Sequence, residues 1–407
     1  MKRDLDRLMR ENGVSAIVAI GHPHNDPILY YLLNGINING WYIKKYRGGE
    51  FVLHSTIERE VAMKTGLKCI NFNRYNINDI YNLHKDRIKA NAIILHKVLK
   101  DLKIKGRIAF YGNAPIGYAY NLIRQLKRID KDIEILYEPE KNMIAKARMT
   151  KNEEEVERIK KVRDGVINAF EKTIEWVKRM KVKNNFIYKE RNKKLLIRDL
   201  KNNISSELFK SGFINSTGII VAQARDAGVP HNSGRDDEPV MLGKTIVFDI
   251  FPQEIGGGYY FDFTRTICFG FAPDKIKANY ELVKEAQDIA FSSIKVGKRT
   301  IEIEKKVCEH FEKHNHPTLN SNPKTQVGYC HTLGHGLGLN VHESPTFGLL
   351  KTNPDRIEKG MVFTVEPGLY YPDEGYGIRL EDVIYIDKSG RPVNLTNYPR
   401  NLLVELG

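Results

Sequence analysis

Cysteine is scarce in this chain and scattered: Cys69, Cys268, Cys308 and Cys330 are the four among 407 residues. With no CxxC spacing, neither a disulfide framework nor a thiolate zinc site is indicated, and all four read as small buried hydrophobes. Long apolar runs are missing as well. The longest, such as Ala16–Ile20 and the neighbourhood of Ile246–Ile250, are strand-sized, far below the roughly 18 residues that cross a bilayer. The N-terminus begins Lys2, Arg3 but runs straight into Asp4, Leu5 and Asp6, without an apolar stretch of signal-peptide length, so a cytoplasmic protein with no membrane partner is expected. Repeats and low-complexity tracts are lacking too. Hydrophobic residues at 41% and charged residues at 28% exclude a collagenous, mucin-like or wholly disordered chain.

Acid is short relative to base. Against 64 Lys+Arg stand 50 Asp+Glu, a net charge of +14, which raises nucleic acid or an anionic membrane as a partner. A nucleic-acid reading requires a basic face organised with aromatics, or a known binding module. Here the bases are dispersed over Lys97–Lys105, a helix-like Lys151–Lys183, Lys189–Lys201, and around Lys275 and Lys305. They read as solvated helix faces, with heavy use of Lys, Asn and Ile as a compositional habit, and no nucleic-acid partner is expected.

The length suggests two or three domains, able to bury roughly three quarters of the unfolded surface. Val14–Ile20, Phe51–His54, Arg107–Tyr111 and Ile133–Tyr137 read as strands, with a helix at Pro115–Leu126 between the last two. This is an α/β domain over residues 1–144. Thr150, with Glu153 reaching back, reads as the cap of a helix whose apolar positions are Val156, Ile159, Val166, Phe170, Ile174 and Val177. The second domain, 145–407, starts just before it. A basic amphipathic segment over about Phe186–Phe213 follows, then β-rich chain from Ile219, interrupted by helices around 274–293 and 300–314.

Two carboxylate pairs stand out in that second domain. Asp249 in TIVFDIF and Asp262 in YYFDFTRT flank Gly256, Gly257 and Gly258, so a hairpin closed between Ile255 and Gly256 sets them opposite one another. Glu366 in FTVEPGLYY and Glu381 in YGIRLED flank Pro372, Asp373, Glu374 and Gly375, with their midpoint inside that turn signal. Between the hairpins lies HTLGHGLGLNVHES, with His331, His335 and His342 interleaved with glycines. Apolar neighbours such as Phe248, Ile250, Phe261 and Phe263 make a dry setting in which like charges are costly and a cation is required. Four carboxylates and one imidazole suit two divalent ions of the manganese, cobalt or zinc kind. An aspartate or histidine taken singly reads as a strand-end or hydrogen-bonded structural residue; the conjunction carries the metal reading.

In combination, DFTRT, HTLGHGLGLNVHE, TVEPGLYY and GIRLED resemble the pita-bread metallopeptidases: methionine aminopeptidase, prolidase and aminopeptidase P, with creatinase as a metal-free relative. The resemblance covers about residues 145–400. It implies an α+β catalytic domain of two αββ halves around a curved six-stranded sheet, following a creatinase-like N-terminal α/β domain. It also implies two metal ions, with Asp249 holding one, His335 and Glu366 the other, and Asp262 and Glu381 bridging. Manganese is the first choice. The spacing of thirteen between the aspartates exceeds the commonest in the family, and is expected to lengthen the hairpin without moving the ligands.

Amide hydrolysis is the implied chemistry. Glu366 takes the water proton and passes it to the leaving nitrogen. His231 in VPHNSG, His331 and His342 match positions that orient substrate and stabilise the tetrahedral intermediate, and Arg379 balances the carboxylates. The N-terminal domain favours Xaa-Pro bonds, whose tertiary nitrogen resists general peptidases, in a homodimer acting on proline-containing peptides. Dipeptidases of this kind usually place an Arg shortly after the third histidine to clamp the substrate carboxylate. Here the first is Arg356, fourteen residues beyond His342, so aminopeptidase P-like release of the N-terminal residue is preferred over Xaa-Pro dipeptidase action. A non-peptidase enzyme and a binding protein on the same scaffold stand as further alternatives.

Overall fold

A computed structural model describes residues 4–21, 26–138 and 142–406. Lys2 and Arg3, part of the N-terminal reading, lie outside them. The chain forms two compact units, Met1–Arg148 with Gly256–Gly258, and Met149–Ile255 with Tyr259–Gly407.

The first unit holds a six-stranded sheet of β1 (Ala16–Ile20), β2 (Gly40–Lys45), β3 (Glu50–His54), β4 (Lys68–Asn71), β5 (Arg107–Tyr111) and β6 (Glu134–Ile135), in the order β4-β3-β2-β1-β5-β6. β1 runs parallel to β5 and antiparallel to β2. Helix α1 (Arg87–Asp101) starts where the Asp86 carboxylate accepts the Ile88 and Lys89 amides, and buries Ile94, Leu95, Val98 and Leu99. Helix α2 (Ile116–Ile129) covers the same core with Leu122 and Leu126. Cys69 corrects the expectation of four buried thiols. It lies on the edge strand β4 and is exposed, Cys330 is half-buried, and only Cys268 and Cys308 are buried.

The second unit opens with α3 (Glu153–Lys178), whose six apolar positions named above are all buried. Its cap is Asn152 rather than Thr150. The Asn152 side chain accepts the Glu155 amide at 2.9 Å while Glu155 accepts the Asn152 amide at 2.8 Å. Thr150 is drawn out of the cap by an extended bridge to Met361, beside a Lys151 amide bond to Gly360 O.

The basic segment after α3 departs from the expected helix. β7 (Lys181–Lys183), β8 (Phe186–Lys189) and β9 (Lys193–Lys194) form a three-stranded antiparallel sheet, and only Ile197–Lys210 is helical (α4). Asn184 and Asn185 both adopt positive φ, as a two-residue hairpin loop demands, and Asn192 does so in the next loop. Three asparagines and the β-prone Phe186, Ile187 and Tyr188 outweigh the helical spacing of the charges.

Beyond it, β10 (Ile220–Gln223), β11 (Thr245–Ile250) and β12 (Phe263–Phe269) lie side by side. Helices α5 (Asp274–Ser293) and α6 (Thr300–Lys313) match their expected positions. There follow β13 (His335–Gly336), β14 (Glu343–Thr346), β15 (Val362–Val365), the hairpin β16 (Gly368–Tyr371) and β17 (Tyr376–Arg379), β18 (Asp382–Ile386), β19 (Pro392–Asn394) and β20 (Leu403–Val404). They assemble as β10-β11-β12-β20 and β14-β13-β15-β18-β19, joined where the Glu381 amide bonds Thr264 O at 3.1 Å. Under β11 and β12, Phe170 of α3 packs edge-on against Phe248 and Phe263, with centroids 5.4 and 5.3 Å away.

Replacing Asn152 with Ala removes the side-chain arm of the capping box, the acceptor of the Glu155 amide, and is expected to cost about 1 kcal/mol in urea unfolding. Thr150→Ala should cost less; the reverse order would return the cap to Thr150.

Candidate metal centre

Alternation along β11 and β12 turns Phe248, Ile250 and Phe263 into the α3 core and sends Asp249 and Thr264 to the other face. The ladder pairs Asp249 with Thr264, not with Asp262. Pairing continues to Gln253 and Tyr260, so the turn is centred between Gly256 and Gly257, one residue later than the aspartate midpoint. That shift of centre moves the register by two, which preserves the face. The second hairpin follows its spacing: Gly368 pairs with Arg379 across a turn at Pro372–Glu374 and Gly375, and continuing that register sets Glu366 across from Glu381. Gln287, fully buried on α5, secures both strands by donating to Val365 O and Leu380 O, the carbonyls just before the two glutamates.

His335 enters on β13. A Cβ at Gly334 would collide with Thr364 O and one at Gly336 with Ser344 O, so glycine is what lets the histidine strand lie this close to its neighbours. His335 Nδ1–H donates to Gly336 O at 3.1 Å, which aims Nε2 at the carboxylates. From there Glu366 Oε1 is 3.3 Å away and Asp262 Oδ2 is 3.8 Å away. Ligand atoms of Asp262, His335 and Glu381 all lie within 4.8 Å of one another.

Asp249 stands at the edge of this group. Its Oδ2 accepts from Arg379 at 2.6 Å, which leaves Oδ1 available. Arg379 is buried, not a surface strand residue, and also donates to Tyr370 Oη at 2.8 Å, Pro230 O at 3.2 Å and Thr264 Oγ1 at 3.3 Å. Since Arg379 donates to Tyr370, the phenol is free to donate to His331 Nε2 at 2.9 Å, while His331 Nδ1–H donates to Thr332 O. Burial lowers the His331 pKa and keeps the imidazole neutral. His342 is exposed, with its ring edge-on to His335 at 4.3 Å. Partial burial and then the His335 charge lower it to about 4. His231 is also exposed, close enough that its charge helps lower both His331 and His342.

The electrostatics show what the arrangement lacks. Burial, then Glu381, Asp249 and Glu366, push Asp262 well above the carboxylate range; burial, then Glu366 and Asp249, do the same to Glu381. Burial raises Glu366 too, but the His335 hydrogen bond and charge outweigh it and bring it down to about 2. Burial opposes charge on His335, yet Glu366 lifts it to about 9. Asp262 Oδ1 and Glu381 Oε1 are buried with no hydrogen-bond partner among the described residues. Orphaned carboxylate oxygens in an oxygen-rich set fit divalent cations, which would supply the missing partner.

Residues 157–388 match the sequence pattern of metallopeptidase family M24, more than half of the chain. The chain belongs to that family. A putative dipeptidase of Bacillus subtilis is 34% identical over 203 residues, 49% of this chain and 51% of the relative, so the chain spans about half the length of that curated relative. An Xaa-Pro dipeptidase of Pyrococcus furiosus is 26% identical over 99% of this chain and all of its own. Among solved structures, an Xaa-Pro dipeptidase from Bacillus anthracis superposes with a TM-score of 0.76 at 22% identity, covering 98% of this chain and 99% of its own. An X-Pro aminopeptidase from Thermotoga maritima gives 0.74 at 22% identity, covering 98% and 100%. These full-length likenesses establish the fold, an α/β N-terminal domain with a pita-bread α+β catalytic domain.

Three supports of this M24 site escaped the sequence reading. Tyr370 was legible, since it shares strand parity with Glu366. Glu304 of α6 accepts the Leu333 amide at 2.6 Å, and Leu333 O accepts the Glu366 amide at 2.8 Å, so the backbone of one residue between His331 and His335 ties the acid to the site. Its signal was a glutamate inside the apolar stripe Thr300, Ile303, Val307, Cys308, Phe311. Arg265 is buried and spends its donors on Thr264 O, Glu381 O, Asp382 Oδ1, Tyr398 O and Pro399 O; nothing in a single sequence separates it from a surface arginine.

Burial lifts Glu304 to about 8, despite the Leu333 amide. The unfolded group releases its proton near 4.5 and the folded one near 8, so this acid contributes a loss of stability as pH rises between those values. Metal-free Glu304→Gln should therefore lose less stability than the parent between pH 5 and pH 8 in urea titrations; parallel losses would mean the acid does not titrate there.

Proposed function

We propose that this chain is a dinuclear metal-dependent Xaa-Pro peptidase that releases the N-terminal residue ahead of proline, as aminopeptidase P does. The observation that carries this reading is the cluster of Asp262, His335 and Glu381, two of its carboxylate oxygens without a hydrogen-bond partner among the described residues, with Glu366 against His335 and Asp249 at its edge. In a chain that pairs it with an N-terminal α/β domain of residues 1–144, the Xaa-Pro branch is favoured. Those five residues would hold the ions, with manganese suited to the hard donor set and cobalt or zinc as alternatives. When bound, such ions supply Lewis-acid activation of water and of the scissile carbonyl at neutral pH.

The chain's own residues do the rest. Arg379 fixes one oxygen of Asp249 and leaves the other for ligation. Glu366 accepts the proton of the attacking water at Oε1, where Thr364 Oγ1 at 3.1 Å orients it, and delivers the proton to the proline nitrogen, a poor leaving group unless protonated. His331, with one ring nitrogen on Thr332 O and the other on Tyr370 Oη, acts by positioning that phenol beside the site, and the rim histidines His231 and His342 stabilise charge as it develops on the substrate carbonyl.

Dipeptidase action is the second reading, favoured by the Pyrococcus furiosus Xaa-Pro dipeptidase that matches along its full length. Against it, Arg356 is engaged with Gly297 O at 2.9 Å, and no arginine lies nearer in sequence after His342. A homodimer in the cytoplasm is inferred from the resemblance to two-domain Xaa-Pro peptidases; no helix among the described residues is long and apolar enough to cross a membrane.

The protein loaded with Mn2+ should cleave an Xaa-Pro-Xaa tripeptide with higher kcat/KM than an Xaa-Pro dipeptide. Preference for the dipeptide would establish the second reading, and cleavage of neither would end the Xaa-Pro assignment. Glu366→Gln should lower kcat at least 100-fold, in keeping with general-base contributions of about 10²–10⁴.

A further inference from the structure

The charge excess has one place in the fold where it is organised. On the β7–β8–β9 sheet, Lys181 is the cross-strand partner of Tyr188, Tyr188 that of Lys194, and Lys183 that of Phe186. Cross-strand partners share a face, and residues two apart along a strand return to it. Lys181, Lys183, Phe186, Tyr188 and Lys194 therefore occupy one face. Ile187, of opposite parity, is fully buried beneath the sheet, so the face that carries the lysines is the outer one.

Lys181, Lys183 and Lys194 are exposed and make no ion pair among the described residues. Lys194 Nζ sits 3.5 Å over the Phe186 ring. Lys189, on the opposite parity, does have an acid partner, with Nζ 2.5 Å from Asp199 Oδ2. The only carboxylate between residues 181 and 194 is Glu190, in the loop joining β8 to β9. Across the middle of the sheet runs the row Lys181, Tyr188, Lys194, a half-exposed aromatic ring between two lysines that have no acid partner among the described residues.

We propose that this outer face is a docking platform for single-stranded nucleic acid. Lysines set one strand spacing to either side of an aromatic ring place positive charge where a phosphodiester backbone would run while a base stacks on the ring. A duplex would meet the ammonium groups but could offer no unstacked base to Tyr188. A lipid surface would call for protruding apolar side chains, and both aromatics here are half-buried. Basic residues that look dispersed along the chain are thus collected by pairing three short strands. The face is distinct from the peptidase residues and its occupancy needs none of them.

Fluorescence anisotropy on the full chain with a labelled 20-nucleotide oligouridylate and its DNA counterpart tests this. Binding of either at about 50 mM salt is expected, with a preference between them identifying RNA or DNA as the source. Replacing Lys181, Lys183 and Lys194 together by Ala should make the log–log salt dependence shallower by about 2, at roughly 0.7 per neutralised charge on a single strand. Tyr188→Ala alone should weaken binding about tenfold. Peptide cleavage serves as the control and should match the parent, since none of the four side chains belongs to the peptidase site. Three outcomes would overturn the proposal: no binding at that salt, binding insensitive to Tyr188→Ala, or equal retention by duplex or by phosphatidylserine vesicles.

Discussion

Mutual repulsion among four carboxylates in a buried site is the constraint on which the second unit is built. Asp249, Asp262, Glu366 and Glu381 stand within or at the ends of separate strands and gather around one imidazole, three of them buried and Glu366 half-buried, where water screens them poorly. Such a cluster opposes folding unless every charge finds a partner. Arg379 answers Asp249, His335 answers Glu366, and Thr264 donates to Glu381 at 2.8 Å. What is left over, one oxygen each of Asp262 and Glu381 beside the Asp249 oxygen that Arg379 leaves, is the capacity that divalent cations would take up.

Holding the carboxylates against their repulsion requires a rigid surround. Gln287 fixes the strands before both glutamates, and Arg265 ties β12 to Glu381, Asp382 and the C-terminal segment at Tyr398 and Pro399. Glu304 holds the amide of Leu333, and the Leu333 carbonyl accepts the Glu366 amide. None of these side chains is among the candidate ligands. Together they convert a set of strand ends into a site with defined ligand positions, which is the role of outer supports around metal ligands in general.

How legible these features were depends on whether the deciding force was local. The Glu366–Glu381 hairpin was read in the right register because Pro372, Asp373, Glu374 and Gly375 form an unambiguous turn midway between the glutamates. The Asp249–Asp262 hairpin was read two residues out because three adjacent glycines offer several centres, and packing around Glu254, held bidentately by Arg158 at 3.0 and 2.6 Å, decides among them. Parity survived the error, so the face was still right. Thr150 and Asn152 are both good caps, and a bridge to Met361, more than two hundred residues away, chose the second. The basic run after α3 has helical charge spacing, and its asparagine turns became decisive only with β8 docked by its bridge to Met241.

Residue chemistry and spacing by themselves determined that this chain concentrates four carboxylates and three histidines in one region, and that the aspartates among them stand between apolar neighbours. Those properties are local, set by period, turn residues and composition. Tertiary structure alone decided which oxygen Arg379 occupies, which carboxylates are left without partners, and that Glu304 and Arg265 are buried supports. It also turned scattered lysines into one face. Each of these depends on segments far apart in the chain meeting at hydrogen-bonding distance, and on burial changing the energy of a charge, and neither quantity exists until the chain has folded.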